Sequence, residues 1–310
     1  MIKLMKTLDQ KVVQLENFEP SIWINMTQPT EAEINTISEK FNIPSEHLRA
    51  ALDEEERARI EVDDDCTLIL VDVPLLELQE GSKIYTTLPL AIILANDNII
   101  TVCTKEIPLI NDFVSGKVKA FFTYKKTRFI LQLLYKNATY YLQYLKQIDK
   151  MSNNIEKELH KSMKNKELIQ LLDLEKSLVY FTTSLRSNEI VLEKMLKLDA
   201  IKKYPEDEDL LEDVIIENKQ AIEMANIYSN ILSGTMDAFA SVISNNLNIV
   251  MKFLTSVTIV MAIPTMIASF FGMNVPVPLA NQHFAFIIIM LISLVIASLF
   301  ALFMYRKKMF

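Results

Sequence analysis

Apolar positions along the chain keep three rhythms in succession. In residues 10–121, short runs rich in β-branched side chains, SIWINM (21–26), CTLILVDV (66–73), LAIILA (90–95) and NIITVC (98–103), alternate with helically spaced stretches at 31–41 and 45–57. This is an α/β pattern, and Asn96-Asp97 reads as the turn between its last two strands. From 127 to 200 the spacing is helical almost throughout, with a break near 160–166, which predicts a long antiparallel helix pair. Pro205 then opens the longest element. Glu206, Asp207, Glu208 and Asp209 sit where carboxylates suit the positive end of a helix dipole, and no proline follows until Pro264. One helix over 206–271 would be roughly 100 Å long. Along it Ile222, Ala225, Ser229, Leu232, Met236, Phe239, Ile243, Asn246, Val250 and Phe253 recur at spacings of three and four. That is a heptad seam for side-by-side packing, weakened locally by Gly234.

The third rhythm is unbroken hydrophobicity. Residues 253–271 and 284–305 are uncharged, and each is about 20 residues long, enough to cross a hydrocarbon core of roughly 30 Å. The connector 272–283 holds no Lys or Arg, whereas Lys252 precedes the first span and Arg306, Lys307 and Lys308 follow the second. The positive-inside bias therefore predicts a cell-membrane protein with both termini in the cytoplasm. The expected order is an α+β cytosolic domain (1–121), an antiparallel helical hairpin (122–204), a stalk helix (205–252) and a first transmembrane helix (253–271). An outer loop (272–283), a second transmembrane helix (284–305) and a basic cytosolic tail (306–310) complete it.

Charge sharpens this picture. All 39 acidic residues of the 310 precede position 252, and residues 1–251 carry a net charge of −11. An acidic soluble part repels phosphate, and no basic, aromatic-interleaved patch offsets it, so nucleic acid is excluded as a partner. Cys66 and Cys103 lack CxxC spacing and lie in apolar β-like runs, as buried free thiols of a cytosolic domain would. The N-terminal MIKLMKTLDQ lacks the apolar stretch of a signal peptide. The four glycines, Gly81, Gly116, Gly234 and Gly272, show no P-loop spacing, and His47, His160 and His283 show neither HExxH nor zinc-ligand spacing. No enzyme and no organic cofactor is expected.

Chemistry concentrates on one face of the first span. Thr255, Thr258, Ala262, Thr265, Ser269 and Gly272 are spaced three, four, three, four and three, and Met251 extends the stripe by a turn. Of that span's hydroxyls only Ser256 falls outside it. Two readings stand: a small-residue face packed on a neighbouring helix, or the lining of a water path, with Phe253, Val257, Val260 and Ile263 turned to lipid or protein. Ser293 and Ser298 form no stripe in the second span, which reads as an outer helix. Two helices cannot enclose a pore, so a lining requires several copies around one axis, and the seam gives them a reason to assemble. A ring of copies puts Asn274 at the outer mouth, where its amide offers an acceptor and a donor without charge. A membrane-anchored coiled-coil scaffold or sensor would share the stalk and the membrane hairpin, but would not need a hydroxyl stripe ending in Asn.

Gly272-Met273-Asn274 closes the first of two C-terminal spans, after Pro264-Thr265-Met266-Ile267-Ala268 and after NIVMKFLT (248–255). It resembles the GMN signature of the CorA family of magnesium transporters. Residues 23–70, from WINMTQPTEAEINTISEKF to DDDCTLIL, are similar to that family's N-terminal domain, so the resemblance covers nearly the whole chain. It implies a funnel-shaped homopentamer moving Mg²⁺ passively inward, with divalent cations, the lipid membrane and copies of the chain as partners. By motif position Gly272, Met273 and Asn274 would form the outer selectivity ring. Met251 and Leu254 would form an apolar constriction and Asn248 an inner polar ring. Asp213, in the LEDV segment, would take the place of a regulatory metal-binding aspartate between subunits. Two features depart from the family: residues 275–283 carry no acid near the mouth, and the hairpin tip at 160–167 is mostly basic. A zinc transporter of the same superfamily is the alternative, with His283 as an imidazole contact.

Overall fold

In the computed structural model, which describes residues 1–8, 11–63, 65–79, 82–162, 165–198, 204–274, 278 and 284–307, the chain opens with an antiparallel pair. These strands, β1 (Ile2–Leu8) and β2 (Lys11–Leu15), precede β3 (Trp23–Thr27). Helix α1 (Glu31–Phe41) starts on a capping box: Thr30 Oγ1 accepts from the Glu33 N–H at 3.3 Å, and the Glu33 carboxylate accepts from the Thr30 N–H at 2.8 Å. It stops where Asn42 turns left-handed, at φ 53°. Helix α2 (Ser45–Arg49) tightens into a 3-10 turn, Ala50–Leu52, and ends there rather than continuing to residue 57 as the apolar spacing predicts. Asp53 takes extended backbone, and its carboxylate accepts from the Glu55 N–H at 3.0 Å, a local bond that competes with the helix.

Strand β4 (Arg59–Val62) leads to two long strands, β5 (Cys66–Gln79) and β6 (Ser82–Ala95), and then β7 (Asn98–Cys103). Asn96, at φ 50°, supplies the left-handed residue that a two-residue hairpin turn needs between β6 and β7. Helices follow: α3 (Pro108–Val114), α4 (Lys126–Ser162), α5 (Asn165–Met195), α6 (Pro205–Phe271) and α7 (Ala285–Arg306). The apolar rhythm predicts neither the first strand pair nor α3. In β1 lysines interrupt a short apolar run, and α3 is only 7 residues long.

The seven strands make one mixed sheet, ordered β2-β1-β3-β7-β6-β5-β4, in which only β3 and β7 run parallel. Both faces are covered. Ile24, Leu68, Leu70, Ile93 and Ile100 meet Ile34, Ile37 and Leu48 of α1 and α2, while Trp23, Val71, Leu90, Ile92 and Ile99 meet Phe113, Phe129, Leu133 and Val191 of α3, α4 and α5. Double coverage explains why the central strands read as continuous apolar runs instead of alternating ones.

Polar side chains fix the α4–α5 pair on the sheet. Strand β4 pairs with β5 only as far as Leu70, so beyond that point β5 has β6 alone beside it. There Asn188 donates to the Asp72 carbonyl and accepts from the Asp72 N–H, both at 2.8 Å, and Asn137 donates to the same carbonyl at 2.9 Å. These amides take over pairing that a strand would otherwise supply. Burial alone would push the Asp112 carboxyl of α3 up, but hydrogen bonds from Tyr140, Lys117 and Lys136 outweigh it and hold it below the ordinary carboxylate value. The start of α6 is tied to α4 by Arg128, 3.4 Å from Glu206 and 3.5 Å from Asp207, while Leu211 and Val214 enter the core. Further along, Asn218 donates to the Leu185 carbonyl at 3.0 Å and Ser233 to Glu175 at 2.7 Å, so this part of α6 lies on α5. Two compact units result, residues 1–234 and residues 235–310.

Candidate functional site

Residues 235–310 contain the end of α6 and all of α7, which among the described residues are the two helices long and apolar enough to cross a membrane. Along α6 every residue from 240 to 255 is exposed, among them Val242, Leu247, Ile249, Val250, Met251, Phe253 and Leu254. Asn248 belongs to this exposed stretch as well. The seam therefore divides: Ala225 and Leu232 are buried, whereas Ile243, Asn246, Val250 and Phe253 are exposed on the single chain.

Above it the stripe comes out on one side. Thr255, Thr258, Ala262, Thr265, Ser269 and Gly272 are all exposed, while Val257, Val260, Ile263 and Ile267 are half-buried and Ser256 is fully buried. Two of the hydroxyls on the stripe bond inward along their own helix. Thr258 Oγ1 donates to the Leu254 carbonyl at 2.8 Å and Thr265 Oγ1 to the Met261 carbonyl at 3.2 Å. Spending the hydrogen on the backbone leaves these two hydroxyl oxygens with lone pairs outward, so at Thr258 and Thr265 the stripe presents acceptors. Pro264 lies within this helix and cannot donate to the Val260 carbonyl one turn back, a loss that apolar surroundings make costly unless water or a neighbour compensates. On the other side of α6, Pro264, Ile267, Ala268 and Phe271 form a groove with Ala285, Ile289 and Ser293 of α7.

The helix ends on the triplet. The Gly272 N–H donates to the carbonyls of Ala268 at 3.0 Å and Ser269 at 3.2 Å, and Gly272, Met273 and Asn274 are exposed. A Cβ on Gly272 would meet the Ala268 carbonyl oxygen at 3.4 Å, an ordinary contact, so no contact among the described residues demands glycine there. Asp213 belongs to the other unit, exposed on α6 between the buried Leu211 and Val214. His283, the residue behind the zinc alternative, lies outside the described residues, as do residues 275–277 and 279–282 of the loop and Lys308 of the tail.

One constellation has no sequence signal. His47, Asp63 and Cys66 come together in the sheet-bearing unit, with donor atoms all within 4.8 Å of one another. Their spacing matches no metal-binding pattern, and a helix and a strand hairpin must meet before they approach. Both cysteines are buried free thiols.

The family described as CorA-like Mg²⁺ transporter protein matches residues 19–307. The cobalt/magnesium transport protein CorA of Methanocaldococcus jannaschii is 30% identical over 297 residues, covering 93% of this chain and 90% of that protein. The complete structure of the CorA magnesium transporter from Methanocaldococcus jannaschii superposes with a TM-score of 0.84 at 28% identity, over 99% of this chain and 98% of that one. The full-length CmaX protein shares the fold, with a TM-score of 0.71 at 12% identity over 99% and 97% of the two chains.

Proposed function

The chain belongs to the CorA-like Mg²⁺ transporter family, a family of transporters and not of enzymes, and on that premise we propose that it is a channel-like Mg²⁺ uptake protein working as a homopentamer. Transport of divalent cations follows from the family, and the chain carries two C-terminal helices long and apolar enough to cross a membrane; the path through them, its lining and its stoichiometry are the proposal. One observation carries it: the stripe of exposed oxygen acceptors on α6, which ends at Asn274 and has Ser256 buried on a different side.

Mg²⁺ holds its inner water shell tightly and prefers octahedral oxygen coordination. The waters of a hydrated ion present hydrogens outward. A path of threonine and serine oxygens below a ring of Asn carbonyls can accept from them without stripping the ion. In this arrangement Gly272, Met273 and Asn274 form the outer ring. Thr255, Thr258, Ala262, Thr265 and Ser269 line the path, Met251 and Leu254 narrow it, and Asn248 faces its inner end. The exposed apolar residues of α6 between 240 and 255, such as Val242, Leu247 and Val250, support assembly, since a large exposed apolar surface marks an interaction face. Lys252 and the basic tail support cytoplasmic termini. Asp213 would take a regulatory Mg²⁺ between neighbouring subunits.

Two outcomes test this. The detergent-solubilised protein should have the mass of a ring, five chains in number; a stable monomer would refute the pore. In a background without Cys66 and Cys103, cysteines at 258, 262, 265 and 269 should react with a membrane-impermeant thiol reagent faster than cysteines at 257, 260 and 263. Equal reaction of both sets would mean that the stripe is a packing face.

A further inference from the structure

We propose that His47, Asp63 and Cys66 form a binding site for a borderline-soft divalent transition metal, of which Zn²⁺ and Co²⁺ are the representative ions. The inference is independent of the pore reading, because these residues lie on the sheet and its helices, in the unit of residues 1–234.

The site is assembled by three elements. His47 is on α2, whose Leu48 is fully buried against the sheet, and this brings the imidazole to the first residues of β5 with 7% exposure. Cys66 is the first residue of β5 and is 4% exposed. Asp63 follows β4, and its N–H donates to the Cys66 carbonyl at 2.9 Å, closing the β4–β5 connection so that the carboxylate and the thiol share one side. Cys66 Sγ is 3.5 Å from His47 Nδ1 and 4.0 Å from Asp63 Oδ2. Bonds of about 2.3 Å to sulfur and about 2.05 Å to nitrogen, at a tetrahedral angle, separate the two donors by about 3.5 Å. The sulfur and Nδ1 thus already stand at ligand spacing, while the exposed Asp63 carboxylate, with Oδ2 4.0 Å from the sulfur and 3.6 Å from His47 Nε2, has to swing toward Nδ1 to complete the set.

The other face of the imidazole is supported too. His47 Nε2 is 3.1 Å from Glu61 Oε2, and Glu61 is itself held by the Arg59 guanidinium. A histidine that binds metal through one nitrogen and donates its other N–H to a carboxylate is the outer-shell arrangement that fixes ring orientation in metal sites. Asp63 is exposed and borders an open cleft with Ser38, Glu39 and Asn42, so an ion can enter from solvent and keep a water as its fourth ligand.

The donor set decides the class of ion. One sulfur, one nitrogen and one carboxylate oxygen suit Zn²⁺ or Co²⁺, whereas Mg²⁺ requires six oxygens and gains little from a thiol. On binding, the Cys66 thiol releases its proton to solvent and the thiolate bonds to the metal, with no oxidation or reduction.

The test uses the full chain, purified in detergent, reduced and stripped of metal, with Co²⁺ as the probe. Wild type should show a thiolate-to-Co²⁺ charge-transfer band and the visible absorption of a tetrahedral ion, saturating at one Co²⁺ per chain. Zn²⁺ should displace it, and a large excess of Mg²⁺ should not. Cys66→Ser should abolish the band, and Cys103→Ala should leave it unchanged. Glu61→Gln should weaken binding by about 10–100-fold, and Asp63→Asn, at an exposed position that tolerates the change, should weaken it further. Absence of the band in wild type, its persistence in Cys66→Ser, its loss in Cys103→Ala, or displacement by Mg²⁺ would each overturn the site.

Discussion

Replacing Asn274 with alanine should abolish most Mg²⁺ uptake, lowering flux into liposomes at least about tenfold, which corresponds to about 1.4 kcal/mol or more in barrier height. Asn274 is exposed at the end of α6, so its loss leaves no buried group unpaired and should not disturb folding or assembly. On the proposed pore, what disappears is an acceptor in every subunit at the place where the hydrated ion would first be selected. No acid lies between Gly272 and His283 to attract the cation by charge instead, so in the proposed pore the selection would fall to the amide carbonyls of Asn274. Asn274→Asp restores an acceptor and adds charge, and should recover binding of divalent ions while relaxing the choice among them. His283→Ala should change Mg²⁺ flux little. The reverse order, with His283→Ala crippling Zn²⁺ uptake and Asn274→Ala transporting normally, would show that the outer triplet is not the selective element.

The second large effect is structural. Trp23→Ala should destabilise the sheet-bearing unit by about 3–5 kcal/mol, the usual cost of emptying a large aromatic site. Trp23 is fully buried and meets Phe113, Phe121 and Phe129 edge-on, with ring centroids 6.4, 6.0 and 5.1 Å away. Its indole N–H donates to Thr101 Oγ1 at 2.8 Å, and that hydroxyl donates onward to Asn25 Oδ1 at 2.9 Å. Alanine leaves a cavity between β3 and the helices and removes the donor that satisfies Thr101. Trp23→Phe keeps much of the ring packing and should cost clearly less. Thermal unfolding in detergent should show an apparent midpoint lowered on the order of 10 °C for Trp23→Ala, with Trp23→Phe between it and wild type. Equal midpoints for Trp23→Ala and wild type would mean that this aromatic cluster does not hold the unit together.

Several features of the chain are legible in its amino-acid sequence, and each is local. The two membrane helices follow from length and hydropathy alone, because a bilayer sets both requirements. The continuous α6 follows from the acids after Pro205 and the absence of proline before Pro264. The Asn96-Asp97 turn follows from the tolerance of asparagine for left-handed backbone. The stripe ending in Gly272-Met273-Asn274 is a matter of helical periodicity, which needs no partner to be read.

What tertiary structure decided is what depends on distant segments meeting. Residues 45–57 keep a helical apolar rhythm, yet the chain leaves the helix after Leu52, because Asp53 bonds locally and Arg59 must reach β5. The seam on α6 is one pattern in sequence, but α5 lies along α6 from Asn218, just before the seam, to Ser233 within it, while residues 240–255 stay exposed. The same periodicity thus serves internal packing at one end and stays exposed on the single chain at the other. Asn188 and Asn137 look like ordinary polar positions on two helices until β4 stops at Arg59 and leaves the Asp72 backbone for them to satisfy. His47, Asp63 and Cys66 are the extreme case. Periodicity along one chain encodes which face a residue occupies, but the approach of three donors from α2, the β4–β5 connection and β5 is set by how those elements pack across the sheet.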